Sequence, residues 1–166
     1  NNSNKEYDRN GLIARSGKSD KLILNQALEN FEENSNYKKS LDIKDFDIFF
    51  AKGLSLENGT ATISNFTAML IAKGMKNAHV IGQSIINKWL VCGGGRKNKY
   101  LLESIKNSFE KISIAPIDQY EVDGDFVESQ AFGYLAIRSF LKLPISFPST
   151  TGCKRPCTGG ILIKNF

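Results

Sequence analysis

The amino-acid sequence predicts an α/β fold, because strand-like and helix-like segments alternate in its second half. A short apolar run at 88–92 ends in three glycines, a helical pattern follows over 98–109, and a second apolar run occupies 111–116. Strand, glycine turn, helix and strand make a βαβ unit, in which the two strands are parallel and lie in a covered sheet.

The spacing of apolar residues predicts five helices, over 19–32, 43–51, 62–73, 98–109 and 125–141. Ser19 is the expected N-cap of the first helix, and Gly74 is expected to end the third. Between the second and third, the residues at 57–59 predict a turn. The last helix is apolar on nearly every face, so we expect it to be mostly buried. A short apolar run at 161–163 predicts a closing strand.

Composition and charge describe an ordinary globular protein. The chain has 166 residues, 41% of them hydrophobic, which predicts one domain over 1–166 with a frayed start at 1–5. The net charge of +5 is dispersed, and no aromatic ladder accompanies the basic residues at 96–99 and 154–155. We therefore expect a solvated surface there and no nucleic-acid partner. No apolar run approaches the roughly 20 residues of a membrane span, and no signal peptide is expected.

The cysteines predict free thiols in a reducing compartment. Their number is odd, and Cys153 and Cys157 are separated by three residues, whereas Cys92 stands apart. Because His79 is the only histidine, the usual ligands of a zinc site are too few, and no metal site is expected.

The glycine run is the strongest candidate for a ligand site. Gly93, Gly94 and Gly95 follow directly on a predicted strand and precede a helix. Ligands of α/β sheets bind at the carboxyl ends of strands, where glycine lets the backbone approach them and a helix start favours an anion. The pattern suits a nucleotide, although it matches neither a Walker A loop nor GxGxxG. A sterically tight strand-to-helix turn explains it equally well.

Two further segments have functional and structural explanations. If Asp125 is the N-cap of the last helix, Glu128 falls at its third position, and a capping box accounts for both acids. The alternative is that Glu128, embedded in an apolar helix, faces a cleft. The hydroxyl- and glycine-rich turns at 148–152 and 156–160 suit either a polar ligand or an ordinary surface loop.

Together these segments resemble the C-terminal portion of the anhydro-N-acetylmuramic acid kinase family. The resemblance rests on Val91-Cys92-Gly93-Gly94-Gly95 with Asn98, Asp125-Phe126-Val127-Glu128, Gln130-Ala131-Phe132, Tyr134-Leu135-Ala136, Arg138, Leu143-Pro144, Pro148-Ser149-Thr150-Thr151-Gly152, Gly159-Gly160, Asp8, Gly11, Ala14, Gly17, Lys39-Ser40-Leu41, Ala61-Thr62 and Thr67-Ala68. The chain departs from the family where Tyr37 and Lys38 replace prolines, and at Cys153-Lys154-Arg155.

The resemblance implies an actin-like, sugar-kinase and Hsp70 type of fold, with two α/β lobes around an ATP cleft. It implies opening of the 1,6-anhydro ring of anhydro-N-acetylmuramic acid and phosphorylation of O6 by Mg-ATP, giving N-acetylmuramic acid 6-phosphate in cell-wall sugar recycling. Gly93, Gly94 and Gly95 would approach the adenosine part of ATP, with Asn98 starting the helix behind it. Glu128 would face the sugar.

The resemblance also implies that the chain is the C-terminal lobe alone. The family's Gly-Thr-Ser-x-Asp-Gly loop and its Asp-Thr-Gly-Pro stretch, which holds the general base, have no counterpart in the sequence. No catalytic residue is therefore expected here, the isolated chain should be inactive, and the face towards the absent lobe should be exposed. A homodimer and a bacterial cytoplasmic location are further expectations. The alternatives are a non-catalytic α/β module that binds a nucleotide or a partner, and a kinase of the same fold for another sugar.

Overall fold

A computed structural model describes residues 6–34, 46–82 and 86–163. Its helices are α1 (Leu12–Ser16), α2 (Lys21–Asn34), α3 (Leu56–Gly82), α4 (Lys99–Lys106), α5 (Val127–Phe140) and α6 (Pro148–Thr151), and its strands are β1 (Lys88–Val91) and β2 (Ser113–Pro116). Short 3-10 turns occupy Arg9–Gly11, Phe49–Ala51, Gly94–Lys97 and Ile117–Tyr120. None of the described helices is both long enough and apolar enough to span a membrane.

The predicted βαβ unit is present. Strands β1 and β2 are parallel, with Trp89 opposite Ile114, and α4 connects them. Ile114 packs with Ile105 of α4 and with Met75 of α3 in a buried cluster. Helices thus cover one face of the sheet, while Leu90 of β1 is 46% exposed, and the α/β class is confirmed.

Helix α3 is longer than the sequence pattern predicts. It begins at Leu56 and runs to Gly82, so the predicted turn at 57–59 and the predicted end at Gly74 are both wrong. Ser55 Oγ accepts the Asn58 amide at 3.2 Å, which satisfies a free donor at the helix start. The apolar residues on both sides of Gly74 are buried, and their packing outweighs the modest helical cost of one glycine.

A second cluster joins α2 to α3. Phe31 and Phe66 meet edge-to-face with ring centroids 6.0 Å apart, and Leu24 and Ala27 are buried beside them. The predicted first helix is therefore confirmed, but its cap is not Ser19. Asp20 lies before the first helical residue, and its Oδ1 accepts the Ile23 amide at 3.0 Å.

The N-terminal segment packs closely on the rest of the chain. The Asp8 carboxylate accepts the amides of Ile13 and Ala14 at 2.8 and 3.0 Å and so caps α1. Gly11 has a φ of 71°, and a Cβ there would lie 2.4 Å from Asn98 Oδ1. Gly11 thus allows α1 to sit against the start of α4.

Two other predictions are wrong where they can be compared. For the predicted helix over 43–51, residues 46–48 are not helical and Phe49–Ala51 forms a single 3-10 turn, while 43–45 lie outside the described residues. No strand forms at 161–163. The predicted frayed start at 1–5 lies outside the described residues. So do residues 37–41, which hold one of the family-like segments and one of the departures from the family.

Helix α5 lies within the predicted range of 125–141, but it does not have its predicted burial. Phe132, Ile137 and Phe140 are 61–68% exposed, so the expectation of a mostly buried helix is wrong for the chain as it stands. The contacts that hold α5 to the following segment are made by Arg138, whose Nε donates to the Pro144 carbonyl at 2.7 Å, and by Ser139, which donates to the Gly159 carbonyl. These contacts cover only part of its surface.

Candidate functional site

The glycine turn joins β1 to α4. Gly93 has φ 73° and ψ 178°, a conformation that is essentially restricted to glycine. After the 3-10 turn, the Asn98 side chain accepts the Leu101 amide at 3.0 Å and caps α4. The predicted strand, glycine turn and helix are therefore confirmed, with Asn98 at the helix start.

The other two glycines are not explained by the turn's conformation. Neither Gly94 nor Gly95 has a positive φ. A Cβ on Gly94 would meet nothing within 4 Å, and one on Gly95 would lie 3.9 Å from Leu101 Cδ2, an ordinary contact. Backbone conformation accounts for Gly93 alone, and a Cβ on Gly93 would also meet nothing within 4 Å. The open space above Gly94 leaves the backbone there accessible to a ligand.

Arg96 lies buried directly behind this turn. Its side chain is 6% exposed, and Nε and Nη2 donate to the two oxygens of Asp118 at 2.7 and 2.9 Å. Nη1 donates to Asp125 Oδ1 at 2.6 Å and to the Gly93 carbonyl at 3.0 Å. One guanidinium therefore links the glycine turn to the segment that follows β2. We call Arg96, Lys97, Asp118, Asp123 and Asp125 the arginine cluster.

The arginine cluster corrects two predictions. The region around Arg96 is not simply a solvated basic surface, because a buried guanidinium requires several acceptors. Asp125 is not the N-cap of α5, since its carboxylate binds Arg96 and Lys97 instead. Phe126 occupies the cap position without a side-chain hydrogen bond, and Glu128 is the second residue of the helix rather than the third.

The charges in the cluster reinforce one another. The hydrogen bonds from Arg96 lower the pKa of Asp118 to about 2. Hydrogen bonds from Arg96 and then Lys97, whose Nζ lies 2.6 Å from Oδ2, hold the pKa of Asp125 well below its usual range. The same carboxylates, Asp118 first, raise the pKa of Arg96. Asp118, Asp125 and Arg96 are therefore charged at neutral pH, and the charge of Arg96 is balanced within the protein.

This arrangement predicts a loss of stability in acid. Because the folded pKa of Asp118 lies below its usual value of 3.8, the unfolded chain takes up the proton first as the pH falls. The stabilisation present above about pH 4 should disappear as the pH falls towards 2. We expect Asp118→Asn to flatten the measured curve of unfolding free energy against pH in this range, whereas Glu110→Gln, at an exposed carboxyl, leaves it steep. Equal slopes in both variants would contradict the assignment.

An open cleft adjoins the cluster. It has a volume of about 420 Å³ and is lined by Arg96, Lys97, Pro116, Asp118 and Gln119. Pro116 ends β2 and the glycine turn follows β1, so the cleft lies at the carboxyl ends of the parallel strands, where α/β proteins bind ligands.

Glu128 lies close in sequence to this site but does not join its hydrogen bonds. The amide of Gly93 donates to the Gly124 carbonyl at 2.9 Å, which ties the glycine turn to the residues just before α5. Within the described part of the chain, Glu128 is exposed and has no hydrogen-bond or ion-pair partner. The capping explanation therefore does not hold, and the expectation that Glu128 faces a sugar stays a prediction.

Sequence reasoning missed Asp118 and Gly124. A Cβ on Gly124 would lie 2.4 Å from Arg96 Nε, so only glycine leaves room for the guanidinium. The available signal for Asp118 was its position two residues after the second predicted strand, at the same sheet edge as the glycine turn. Across 6–34, 46–82 and 86–163, no three or more His, Cys, Asp or Glu side chains are grouped to hold a metal ion.

Comparison with known proteins identifies the family. A model of the family described as anhydro-N-acetylmuramic acid kinase matches residues 1–165. Proteins named anhydro-N-acetylmuramic acid kinase are similar to the chain: that of Pelagibacter ubique is 51% identical over 97% of the chain and 44% of its own length. Those of Brucella anthropi and Rhizorhabdus wittichii are each 38% identical, over 95% and 93% of the chain and 41% of their own lengths.

The chain thus spans less than half the length of the curated relatives it matches. The family match itself extends over both halves of the described structure, from α1 to the segment after α6. The chain belongs to the anhydro-N-acetylmuramic acid kinase family.

Proposed function

We propose that the chain is the C-terminal part of an ATP-dependent kinase that opens the 1,6-anhydro ring of anhydro-N-acetylmuramic acid and phosphorylates O6. The product would be N-acetylmuramic acid 6-phosphate. The names of the relatives support the kinase activity and the substrate, and the exposed glycine turn after β1 supports a nucleotide site. The observation that carries the proposal is the open backbone of Gly94 in the turn that follows the carboxyl end of β1.

The described residues fit the adenosine end of ATP. Gly93, Gly94 and Gly95 would let it approach the backbone, and Asn98 would fix the start of α4 behind it. Arg96 would position the turn rather than bind phosphate, because its donors are already directed at Asp118, Asp125 and the Gly93 carbonyl. ATP bound with Mg²⁺ supplies the phosphoryl group. No described residue is assigned to the metal, since the aspartates beside the cleft surround Arg96.

In this proposal the remaining parts of the site are divided between Glu128 of this chain and an N-terminal lobe outside residues 1–166. Glu128 holds sugar hydroxyls or supports the anomeric centre, while the general base and the phosphate loop come from an N-terminal lobe. That lobe would also cover the exposed apolar side chains of α5. The short length relative to the matched relatives supports this division. The proposal also includes a homodimer and action in the bacterial cytoplasm, as the resemblance to the family implies.

The test is an assay of the full-length protein and of residues 1–166 alone. With ATP and anhydro-N-acetylmuramic acid, we expect the full-length protein to form the 6-phosphate, detected by mass spectrometry and phosphorus NMR, and the isolated chain to form none. Nucleotide binding by the full-length protein without any sugar product would favour a non-catalytic module. Phosphorylation of a different sugar alone would favour another kinase of this fold, and turnover by residues 1–166 would overturn the division into lobes.

A substitution in the glycine turn tests the nucleotide site directly. Gly94→Val in the full-length protein should weaken ATP binding by about tenfold or more, because the side chain would occupy the space that the ligand needs. The thermal midpoint should hardly change, since a Cβ there meets nothing within 4 Å. Isothermal titration with a non-hydrolysable ATP analogue measures the first effect. Unchanged affinity in the variant would remove the turn from the nucleotide site.

A further inference from the structure

Helix α5 is attached to the βαβ unit just before its first residue. No residue of the helix itself is buried. At its far end, Arg138 and Ser139 donate to carbonyls of the segment that follows the helix, so these bonds hold that segment to α5. Polar contacts with the βαβ unit lie instead at residues 123–125, immediately before the helix. The position of the start of α5 therefore depends on this short stretch.

The Asp125 carboxylate makes the strongest of these contacts. Its Oδ1 accepts a hydrogen bond from Arg96 Nη1 at 2.6 Å, and its Oδ2 accepts one from Lys97 Nζ, also at 2.6 Å. The side chain is 47% exposed, yet it cannot rotate away without breaking two hydrogen bonds between charged groups. Both partners belong to the turn that follows β1, so Asp125 ties the residues before α5 to that turn.

The chain between Asp125 and Glu128 is short and ordered. The Asp125 amide donates to Asp123 Oδ1 at 2.9 Å, and the Phe126 amide donates to the Asp123 carbonyl at 3.1 Å. The Phe126 carbonyl accepts the Gln130 amide at 2.9 Å, so helical hydrogen bonding begins directly after Asp125. Glu128 is the second residue of the helix. The position of Asp125 therefore determines where the first turn of α5, with Glu128 on it, begins.

Helix capping does not explain Asp125. A residue that only starts a helix accepts an amide of that helix, as the side chain of Asn98 does from Leu101 in α4. The cap position of α5 is occupied by Phe126, without a side-chain hydrogen bond. The carboxylate of Asp125 is directed away from α5, towards the cations of the preceding turn.

We propose that Asp125 is a positioning residue that acts through Glu128. By binding Arg96 and Lys97, it fixes the distance of Glu128 from the glycine turn. This inference rests on the proposed function, in which the nucleotide lies at the turn and the sugar at Glu128. Phosphoryl transfer needs donor and acceptor at a fixed separation, because a misplacement of about 1 Å can cost about 100-fold in rate.

Kinetics of the full-length protein test the inference. Asp125→Ala should lower kcat/KM for the anhydro sugar by about tenfold or more. The affinity for a non-hydrolysable ATP analogue should hardly change, because Asp118 still holds Arg96 beside the Gly93 carbonyl. Asp125→Asn keeps an oxygen for Arg96 and should recover part of the lost activity. An equal loss of sugar turnover and ATP affinity would assign Asp125 to the nucleotide turn instead and overturn the inference.

Glu103 provides a matched control on α4. Its Oε2 lies 2.6 Å from Arg15 Nη2, and its side chain is 55% exposed, which is close to the exposure of Asp125. Glu103→Gln removes the charge from an ion pair of the same length, at a distance from the proposed sugar. It should leave both kcat/KM and ATP affinity unchanged.

A double-mutant cycle shows whether Asp125 acts through Glu128. In a Glu128→Ala background, Asp125→Ala should change kcat/KM by less than about twofold, because the group that it positions is gone. A residue that only stabilises the fold would lower kcat/KM by the same factor in both backgrounds. Equal factors, or a fully active Asp125→Ala protein, would overturn the inference while Glu128 keeps its role. Full activity of Glu128→Ala alone would overturn that role in the proposed function, and the inference with it. If Asp125→Ala does not fold, Asp125→Asn completes the same cycle.

Discussion

Glu128→Ala in the full-length protein should lower kcat/KM for the anhydro sugar by about 100-fold or more, the range expected when a group acting at the reacting centre is lost. Its stability should change by less than about 1 kcal/mol, because the exposed carboxylate lacks a partner in the described structure and contributes only its interaction with the helix dipole. Steady-state kinetics and thermal unfolding, measured on the same preparation, separate the two effects.

The chain offers a matched control in Glu57. Glu57 is the second residue of α3 as Glu128 is of α5, and both side chains are exposed. Glu57→Ala should therefore cost the same small amount of stability and leave kcat/KM unchanged. If Glu128→Ala keeps full activity, Glu128 does not contact the sugar. If the two variants lose activity in parallel with stability, the acid matters only to the helix.

Gly17→Ala should destabilise the protein by about 3 kcal/mol, the upper end of the range for overpacking. Gly17 has φ −97° and ψ 174°, which alanine adopts without strain, so the effect comes from contact alone. A Cβ there would lie 2.1 Å from the Glu57 carbonyl oxygen and 2.2 Å from its carbon. Both are backbone atoms at the start of α3, and they cannot rotate away as a side chain can. The residues that follow α1 would have to separate from α3.

For Gly74→Ala, inside α3 itself, we expect the opposite change in stability. A Cβ on Gly74 meets nothing within 4 Å, so alanine should stabilise α3 by about 0.5–1 kcal/mol through helix propensity. Urea unfolding of both variants measures the difference. A Gly17→Ala protein as stable as the parent would show that the contact between this segment and α3 yields at little cost.

Local pattern was enough for some elements and misleading for others. The βαβ unit was predictable because its apolar runs and glycine turn are contiguous in sequence. The start of α3 was not, because Glu57-Asn58-Gly59 has the composition of a turn. Gly59 is nevertheless buried and donates to the Ser55 carbonyl at 2.8 Å. Packing decides the helix there, and single-residue preferences do not.

The candidate site shows the same division. The glycine turn and the Asn98 cap depend on neighbouring residues and were predicted. The arginine cluster depends on Asp118 and Asp125, which lie 22 and 29 residues from Arg96, and no local spacing rule covers that range. The exposure of α5 was missed for a related reason. The apolar composition of α5 predicts that its surface packs against other residues, but it does not say whether those residues belong to the same chain.

Arg96 couples the two parts of the proposed site, which are the glycine turn at the nucleotide and the start of α5 at the sugar. Its Nη1 donates both to the Gly93 carbonyl and to the carboxylate of Asp125, which lies two residues before α5. A displacement of the glycine turn must carry the start of α5 with it or break charged hydrogen bonds. A ligand that shifts either the glycine turn or the start of α5 therefore strains the same hydrogen bonds of Arg96. Under the proposed function, affinity for nucleotide and affinity for sugar become linked, each changing the other by an equal factor.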